Sequence, residues 1–547
     1  MRWPGRVTEG VDESRDIADV WTAAAMKPEI FPTLAPAVQI EGDGDLARVC
    51  DDVEQRLSGL GDANVYARAG MLVRVIEDGT ARAGIKRDPS APRIVPYDEL
   101  ALADLITRRL EIYRRNRKTM ELQRVDCPRI VAQTLLARRE WEFAPLEGVV
   151  EHPIMLADGQ VLWQSGYHAE TGLLLQLPLH AFQAPYETPS REDADKALEL
   201  LRELISGFDF SEPLDESVAL AYLLTPFVRP ILPTAPAFAF DAHTAGSGKS
   251  TLVRTGSIIA TGRDPAFIVL QADDPHEMRK LLFAAFLEGD SQIAIDNVDG
   301  PVGGADLAVI LTSPVYRGRV LGQSVNASVP TRATISLNGN NLQIVGDLTR
   351  RVLVSRLDPM SDRPAEREFE FDPIAEAREA RSDYVLAVLT ILSAYVCSGA
   401  RVAVRPFGSF EEWSRLVREP LVWLGLPDPV DSLRVLEEAD PERTQLRSML
   451  MAVHGAVASR QFKVAELLQS ARVKHQAGWI DEDSPIEAGR QALEEALQAV
   501  CERNGELNAR ALGKWLRRMN GRIEQGLRFV QVRQTSVAVI WRVESVE

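Results

Sequence analysis

Two hydrophobic periods alternate along this chain. Residues 43–60 (DGDLARVCDDVEQRLSGL) and 99–116 (ELALADLITRRLEIYRRN) space apolar side chains three and four positions apart, which predicts helices. Between them, residues 64–78 (NVYARAGMLVRVIED) alternate apolar and polar and predict a strand. Residues 141–175 break into short apolar runs joined by Gly and Asp, the pattern of short strands. Ser190 then stands as an N-cap before an acidic first turn and an amphipathic stretch to Phe208, a well-signalled helix. A second helix is expected over 216–228 (ESVALAYLLTPFV). From Ala237 to about Asp358, short apolar runs alternate with glycine-bearing loops and helices, which predicts a parallel α/β sheet. Residues 374–455 read as helical, with 411–426 (EEWSRLVREPLVWLGL) as one amphipathic unit. At the C-terminus, FKVAELLQSA, ALEEALQAVC and ARALGKWLRRMN predict helices, and LRFVQVRQ and SVAVIWRV predict strands. Three helices followed by a hairpin suggest a winged-helix module.

These patterns divide the chain into an N-terminal α/β accessory domain (1–185), a helical collar or linker (186–235), an α/β core (236–373), a helical segment (374–459) and a winged-helix-like domain (460–547). A length of 547 residues allows about three or four domains. With 45% hydrophobic and 26% charged residues, the composition is that of a globular protein, so disordered and coiled-coil readings are excluded. The 4 cysteines lie far apart without a CxxC, which argues against a disulfide scaffold or zinc ribbon and suits a reducing, cytoplasmic setting. The first residues, MRWPGRVTEGVDESRD, lack the apolar run of a signal peptide. The most apolar stretch, Val218 to Phe240, is interrupted by Arg229 and four prolines, so a buried core element is expected there and no membrane span. A net charge of −17 argues against a uniformly phosphate-binding surface. A ring with a basic inner and an acidic outer surface has the same sum, so local charge must decide.

The strongest chemical signal is FAFDAHTAGSGKSTLV, where an apolar strand (Ala237 to Phe240) enters a small-residue loop and then a helix. The loop Ala245-Gly246-Ser247-Gly248-Lys249-Ser250-Thr251 has the residue types that cradle a triphosphate. Glycines let backbone N–H groups approach phosphate oxygens, the helix N-terminus adds positive partial charge, Lys249 reaches the β- and γ-phosphates, and Ser250 can ligate Mg²⁺. The match departs from GxxxxGK[ST] in one place: the first glycine position is His243, read as a loop residue. A second strand, Ile293 to Ile295, ends at Asp296, which would hold the metal beside Ser250. The glutamate usual after that aspartate is Asn297 here, so the water-activating base is unassigned, with Asp299 the nearest candidate. A third strand, ATISL, ends in Asn338, Gly339, Asn340 and Asn341, and an amide there can orient the attacking water. Arg350 and Arg351 precede a further strand, VLVSRL. Paired arginines at that place suit an arginine finger acting on a neighbour's nucleotide, which implies a ring. The blander reading makes them helix-capping surface arginines.

The order GSGKST, IAIDNV, SLNGNNL, GDLTRR resembles superfamily-3 helicases of the AAA+ class, and in particular the helicase part of phage- and plasmid-type primase–helicases related to the poxvirus primase-helicase. Flanking stretches share the resemblance: GYHAETGL (166–173), YRGRVLGQS (316–324) and FEEWSRLVREPLVWLGLPDP (410–429). It implies a P-loop AAA+ core, a parallel sheet with helices on both faces, that uses ATP and Mg²⁺ as a homo-oligomer, a hexamer, on single-stranded or forked DNA. Lys249 and Ser250 match the phosphate motif and Asp296 the metal motif. Asn340 is chosen for the third motif with Asn338 as alternative, and Arg351 for the finger with Arg350 as alternative. A channel hairpin is implied over about Arg317 to Thr331, offering Arg317 and Arg319 but no tip lysine. Neither paired carboxylates nor zinc ligands of a primase site occur in 1–185, so priming would come from a separate primase.

Two local patches are basic. Residues 108–124 hold seven Lys/Arg against two Glu, and residues 508–547 hold eight against three. In the second, Lys514, Arg517, Arg518 and Arg522 lie on or just after one helix, as a DNA-docking winged helix would have them; Trp515 is assigned to the core. The plainer alternative for both is a solvated face. The expected function is a DNA helicase or translocase in replication of a phage, plasmid or other mobile element. The competing reading is a non-unwinding AAA+ ATPase: a loader, an initiator-type assembly factor or a defence-system ATPase. A small-molecule kinase would leave the arginine pair and the C-terminal module without a purpose.

Overall fold

The computed structural model describes residues 37–42, 44–77, 84–178, 180–269, 275–298, 300–320, 326–359, 371–439, 441–472, 485–503, 505–534 and 539–546. Asp299 and the hairpin tip at 321–325 therefore lie outside the described residues.

The chain forms two units, one from residues 1–65 and 96–143, the other from 66–95 and 144–547. The expected domain 1–185 is thus divided, because its middle and its end bury themselves in the second unit. Ile85 joins the large core, and the buried Arg68 donates to the carbonyls of Leu146 and Phe286. Arg87 sits between Glu288 at 2.7 Å and Asp290 at 2.5 Å. In the first unit, strand Ala37–Ile40 runs parallel to Glu111–Arg115, which pairs antiparallel with Leu122–Val125. Helices Leu46–Ser58, Glu99–Arg109 and Arg129–Arg138 complete it. The expected helix over 99–116 stops at Arg109: Leu110 is extended, and EIYRR, with its β-favouring Ile and Tyr, becomes the central strand. The strand expected over 64–78 is a hairpin, Tyr66–Arg68 with Met71–Glu77.

The heart of the second unit is a parallel sheet of β1 (Ala237–Ala242), β2 (Ala266–Val269), β3 (Gln292–Val298), β4 (Thr334–Asn340) and β5 (Val352–Leu357). The spatial order is β5-β1-β4-β3-β2, with Ile85–Lys86 added antiparallel beside β2. Every residue of β1 is buried, which is why it opens as a continuous apolar run; β4 (TISLNGN) is buried through Gly339 although Thr334, Ser336 and Asn338 alternate with its apolar residues. Helices α1 (Lys249–Thr261), α2 (Pro275–Glu288) and α3 (Ala305–Thr312) connect the strands. Between α3 and β4 a hairpin projects, Val315–Arg319 paired with Asn326–Pro330. Gly318 is required under it, because a Cβ there would lie 2.4 Å from the Phe283 ring of α2.

Ser190 caps helix Arg191–Ile205 through a reciprocal capping box with Asp193, as expected. Helix Arg381–Ser398 is buried among the same core residues. The amphipathic unit after it, Glu411–Trp423, contains a π-helical turn at Ser414–Arg418. Pro420 has no N–H to continue the α-helical ladder, which accounts for the irregular turn before it. No single described helix is long and apolar enough to cross a membrane.

The C-terminal module has its own core, built on Leu467, Leu497, Leu516, Trp541 and Val543. Helix Pro441–Val457, placed by sequence in the preceding segment, contributes Leu446, Met449, Leu450 and Val453 to this core. The module therefore begins near 441 rather than 460. Strands Phe462–Lys463, Val539–Ser545, Leu527–Gln534 and Ile523–Glu524 form one sheet in that order. Trp515 is buried against Phe529 and belongs to the core, as assigned.

Candidate functional site

The expected site residues converge at the carboxyl ends of β1, β3 and β4. Gly246 and Gly248 take φ values of +77° and +92°, so the loop needs glycine at both places. Gly248 leads directly into α1, whose first residue is Lys249. Ala245 and Gly246 are exposed on this loop, Ser247 is buried, and Thr251 lies in the first turn of α1. The Lys249 ammonium donates to Ser247 Oγ at 2.8 Å, Asn340 Oδ1 at 2.8 Å and the Thr244 carbonyl at 3.2 Å. Burial holds its pKa below the ordinary lysine range, against the opposing pull of the Asp241 and Asp296 carboxylates. A cation kept at such a desolvation cost is available to an anion that enters the loop.

Ser250 Oγ donates to Asp296 Oδ1 at 3.2 Å, and Asn338 Nδ2 donates to the same oxygen at 3.3 Å. The strand order explains the meeting. β4 lies between β1, which feeds the loop, and β3, which carries Asp296. Asn338 and Asn340, two apart on β4, share a face; one reaches Asp296 and the other reaches Lys249. Sequence offers them as alternatives, whereas the structure brings both to the same end of the sheet. Asn338 Oδ1 is buried with no partner among the described residues. With Ser250 Oγ and an Asp296 oxygen it makes a set of hard oxygens of the kind Mg²⁺ takes, so the residues present fit that ion. We predict that Asn338→Ala lowers kcat roughly tenfold to a hundredfold while nucleotide affinity changes little. Equal losses in affinity and kcat would contradict the placement.

Asn297, at the position usual for glutamate, has φ +53° in a bulge where β3 slips its register against β4. Asn tolerates this left-handed conformation better than glutamate does, which gives the departure a backbone cause. His243 Nδ1 lies 2.9 Å from Asn341 Oδ1, and Asp241 Oδ1 accepts from Leu342 N at 2.8 Å, so the loop after β4 is tied to the end of β1.

The arginine pair is ordered differently from expectation. Arg351 donates to the Ala308 carbonyl and, at 2.9 Å, to Thr312 Oγ1 of α3, and it pairs with Asp347 at 2.6 Å. Burial lowers its pKa. Its guanidinium is committed within its own chain. Arg350 also touches Asp347, at 2.5 Å, but its side chain is 64% exposed, so it is the member able to reach another surface. The signal for this was absent from the dipeptide, because it depends on where α3 ends.

Arg317 and Arg319 are both exposed on one face of the hairpin, with Gly318 between them and the buried Tyr316 just before them. On helix Ala509–Met519, Lys514, Arg517 and Arg518 are exposed opposite Leu512, Leu516 and Met519. Arg518 and Arg522 both pair with Glu442, at 3.2 and 3.3 Å, so part of that patch is neutralised.

No family model matches the chain, and no curated protein matches it. Among solved structures, the apo NrS-1 C-terminal region aligns with 90% of this chain and 99% of its own at 11% identity, with a TM-score of 0.36. SCCmec type IV Cch, described as an active helicase, aligns over 88% and 97% at 11% identity with a TM-score of 0.29. JCV helicase aligns over 43% and 66% at 14% identity with a TM-score of 0.20. Similarities this distant add no weight to the site, which rests on its side chains.

Proposed function

We propose that this chain is an ATP- and Mg²⁺-dependent DNA helicase or translocase of the superfamily-3 AAA+ type, working as a ring, a hexamer, in replication of a mobile element. The observation that carries the reading is the meeting of Lys249, Ser250, Asp296, Asn338 and Asn340 at one end of the sheet. The glycine loop and the α1 N-terminus receive the triphosphate, and Lys249 exchanges its contacts with Ser247 and Asn340 for phosphate oxygens. Ser250 and Asp296 would hold Mg²⁺, which when bound neutralises charge on the β- and γ-phosphate oxygens. Asn340, released by Lys249, is then positioned to orient the attacking water. Arg350 would enter a neighbour's site as the finger, while Arg351 braces the turn that presents it. The hairpin arginines and the basic helix at 509–519 supply phosphate contacts for DNA.

The test is hydrolysis and unwinding together. The wild type should hydrolyse ATP faster with single-stranded DNA and open a forked duplex. Arg350→Ala should cut hydrolysis roughly 10³-fold and leave nucleotide binding intact. Mixed with Lys249→Ala, it should regain part of the activity, because each variant brings the group that the other lacks. An Arg350→Ala protein with wild-type turnover would remove the finger role. One observation favours the second reading, a non-unwinding AAA+ ATPase: the residue that follows Asp296 is Asn297 and not a glutamate. Nucleotide-dependent assembly on DNA without strand separation would select it.

A further inference from the structure

We propose that a cleft in the N-terminal unit binds single-stranded nucleic acid, one nucleotide unit at a time along the strand. The inference rests on the DNA-motor reading and names a contact that the motor's own site does not supply.

Register places Val38, Ile112 and Val125 in one row across the three-stranded sheet and Ile40, Arg114 and Gln123 in the next row on the same face. Val38 and Ile112 are fully buried. The next row continues the core face, where an apolar side chain is expected, yet it carries the exposed Arg114. The helices do not cover it. A cavity of about 750 Å³ opens there, at the carboxyl ends of two parallel strands, and its lining includes the apolar Ile40, Val49 and Val131 and the cationic Arg114, Arg115 and Arg117. Crevices at the ends of parallel strands are where open α/β sheets take ligands, and this volume is that of a small-ligand site.

The rim is pre-organised. Asn116 Oδ1 accepts from the Lys118 and Thr119 amides at 2.9 and 3.4 Å, and Asn116 N donates to the Glu121 carbonyl at 2.8 Å, so the turn carrying Arg117 is pinned. Two carboxylates share the cleft. Asp45 is held by Arg48 at 2.5 Å, and Glu41 lies 3.7 Å from Arg115. The exposed Arg114 at the edge and the apolar wall match a phosphate and a base, the pairing by which single strands are held. A strand is favoured over a free nucleotide because a further exposed cation, Lys118, stands on the turn just beyond the cleft.

The experiment uses the full chain and fluorescein-labelled oligothymidylate, read by anisotropy over a salt series. Arg114→Gln with Arg117→Gln should weaken binding about tenfold and reduce the salt slope by roughly 1.4, the value for two phosphate contacts on a single strand. The paired lysine substitutions should restore most of both, and hydrolysis without DNA should stay at the wild-type rate. An oligonucleotide carrying 4-thiothymidine should photocrosslink within residues 111–125. Wild-type affinity and slope in the glutamine pair, or thymidine monophosphate competing as well as the oligomer, would overturn the proposal and leave the motor reading standing. A wild type that binds no oligothymidylate at all would remove the motor reading as well.

Discussion

Lys249→Ala should abolish ATP hydrolysis, with a loss of roughly 10²–10³-fold, the scale on which one pre-organised donor acts at a charged transition state. The ammonium is buried, its three acceptors are within 3.2 Å, and two of them, Ser247 and Asn340, belong to the elements that would flank the phosphates. Lys249→Arg should fail almost as completely, because a planar fork cannot occupy a space shaped for a compact ammonium. Because burial of this ammonium carries a desolvation cost, its removal in the alanine variant should leave the melting temperature near that of the wild type. Phosphate release under saturating ATP is the measurement. Hydrolysis above about a tenth of the wild-type rate in the alanine variant would mean that another cation carries the phosphate and that the loop is misassigned.

The second large effect is on stability. Arg418→Ala should cost about 3–5 kcal/mol, the penalty for breaking a buried ion pair from one side. Arg418 is fully buried, with 0% of its side chain exposed, and pairs with Asp428 at 2.5 Å. It also donates to the Arg405 carbonyl at 2.7 Å and to Ser414 Oγ at 3.2 Å. Removing it strands the Asp428 carboxylate. Arg418→Met combined with Asp428→Leu should recover much of the loss, since no unpaired charge then remains. Urea unfolding followed by tryptophan emission would report both, Trp413 lying buried in the same segment. A cost below about 1 kcal/mol would show that water reaches the pair.

The same arginine shows what the residue pattern conveys and where it stops. Residues 411–426 announce an amphipathic helix, and one forms. Pattern alone assigns Arg418 to the wet face, and only the approach of Asp428 after the turn reverses it. The shape of the loop at 244–250 was legible because its requirements are local: small residues where φ is positive, a lysine, a hydroxyl, a helix start. Asp296 was legible for the same reason, at the end of an apolar run. The choice between Asn338 and Asn340 was not, since it depends on which strand lies on each side of β4. Nor was the contrast between Arg350 and Arg351, which depends on the last turn of α3. Residues 111–115 read as helix because their charges mimic a helical face, and the pairing with Ala37–Ile40 that overrides this is far away in sequence.

The short strand Ile85–Lys86 completes an edge of the parallel sheet, although in sequence it falls between the two halves of the N-terminal unit. During synthesis it leaves the ribosome long before residues 266–269, with which it pairs, exist. The first unit must therefore close around a loop whose docking surface is still unmade, a long-range dependence that slows folding and invites chaperone help. It also sets the terms for dissection. Trimming the chain at residue 186 would strip that cover and leave β2 a bare, adhesive margin, so such a fragment should self-associate even with every catalytic side chain in place.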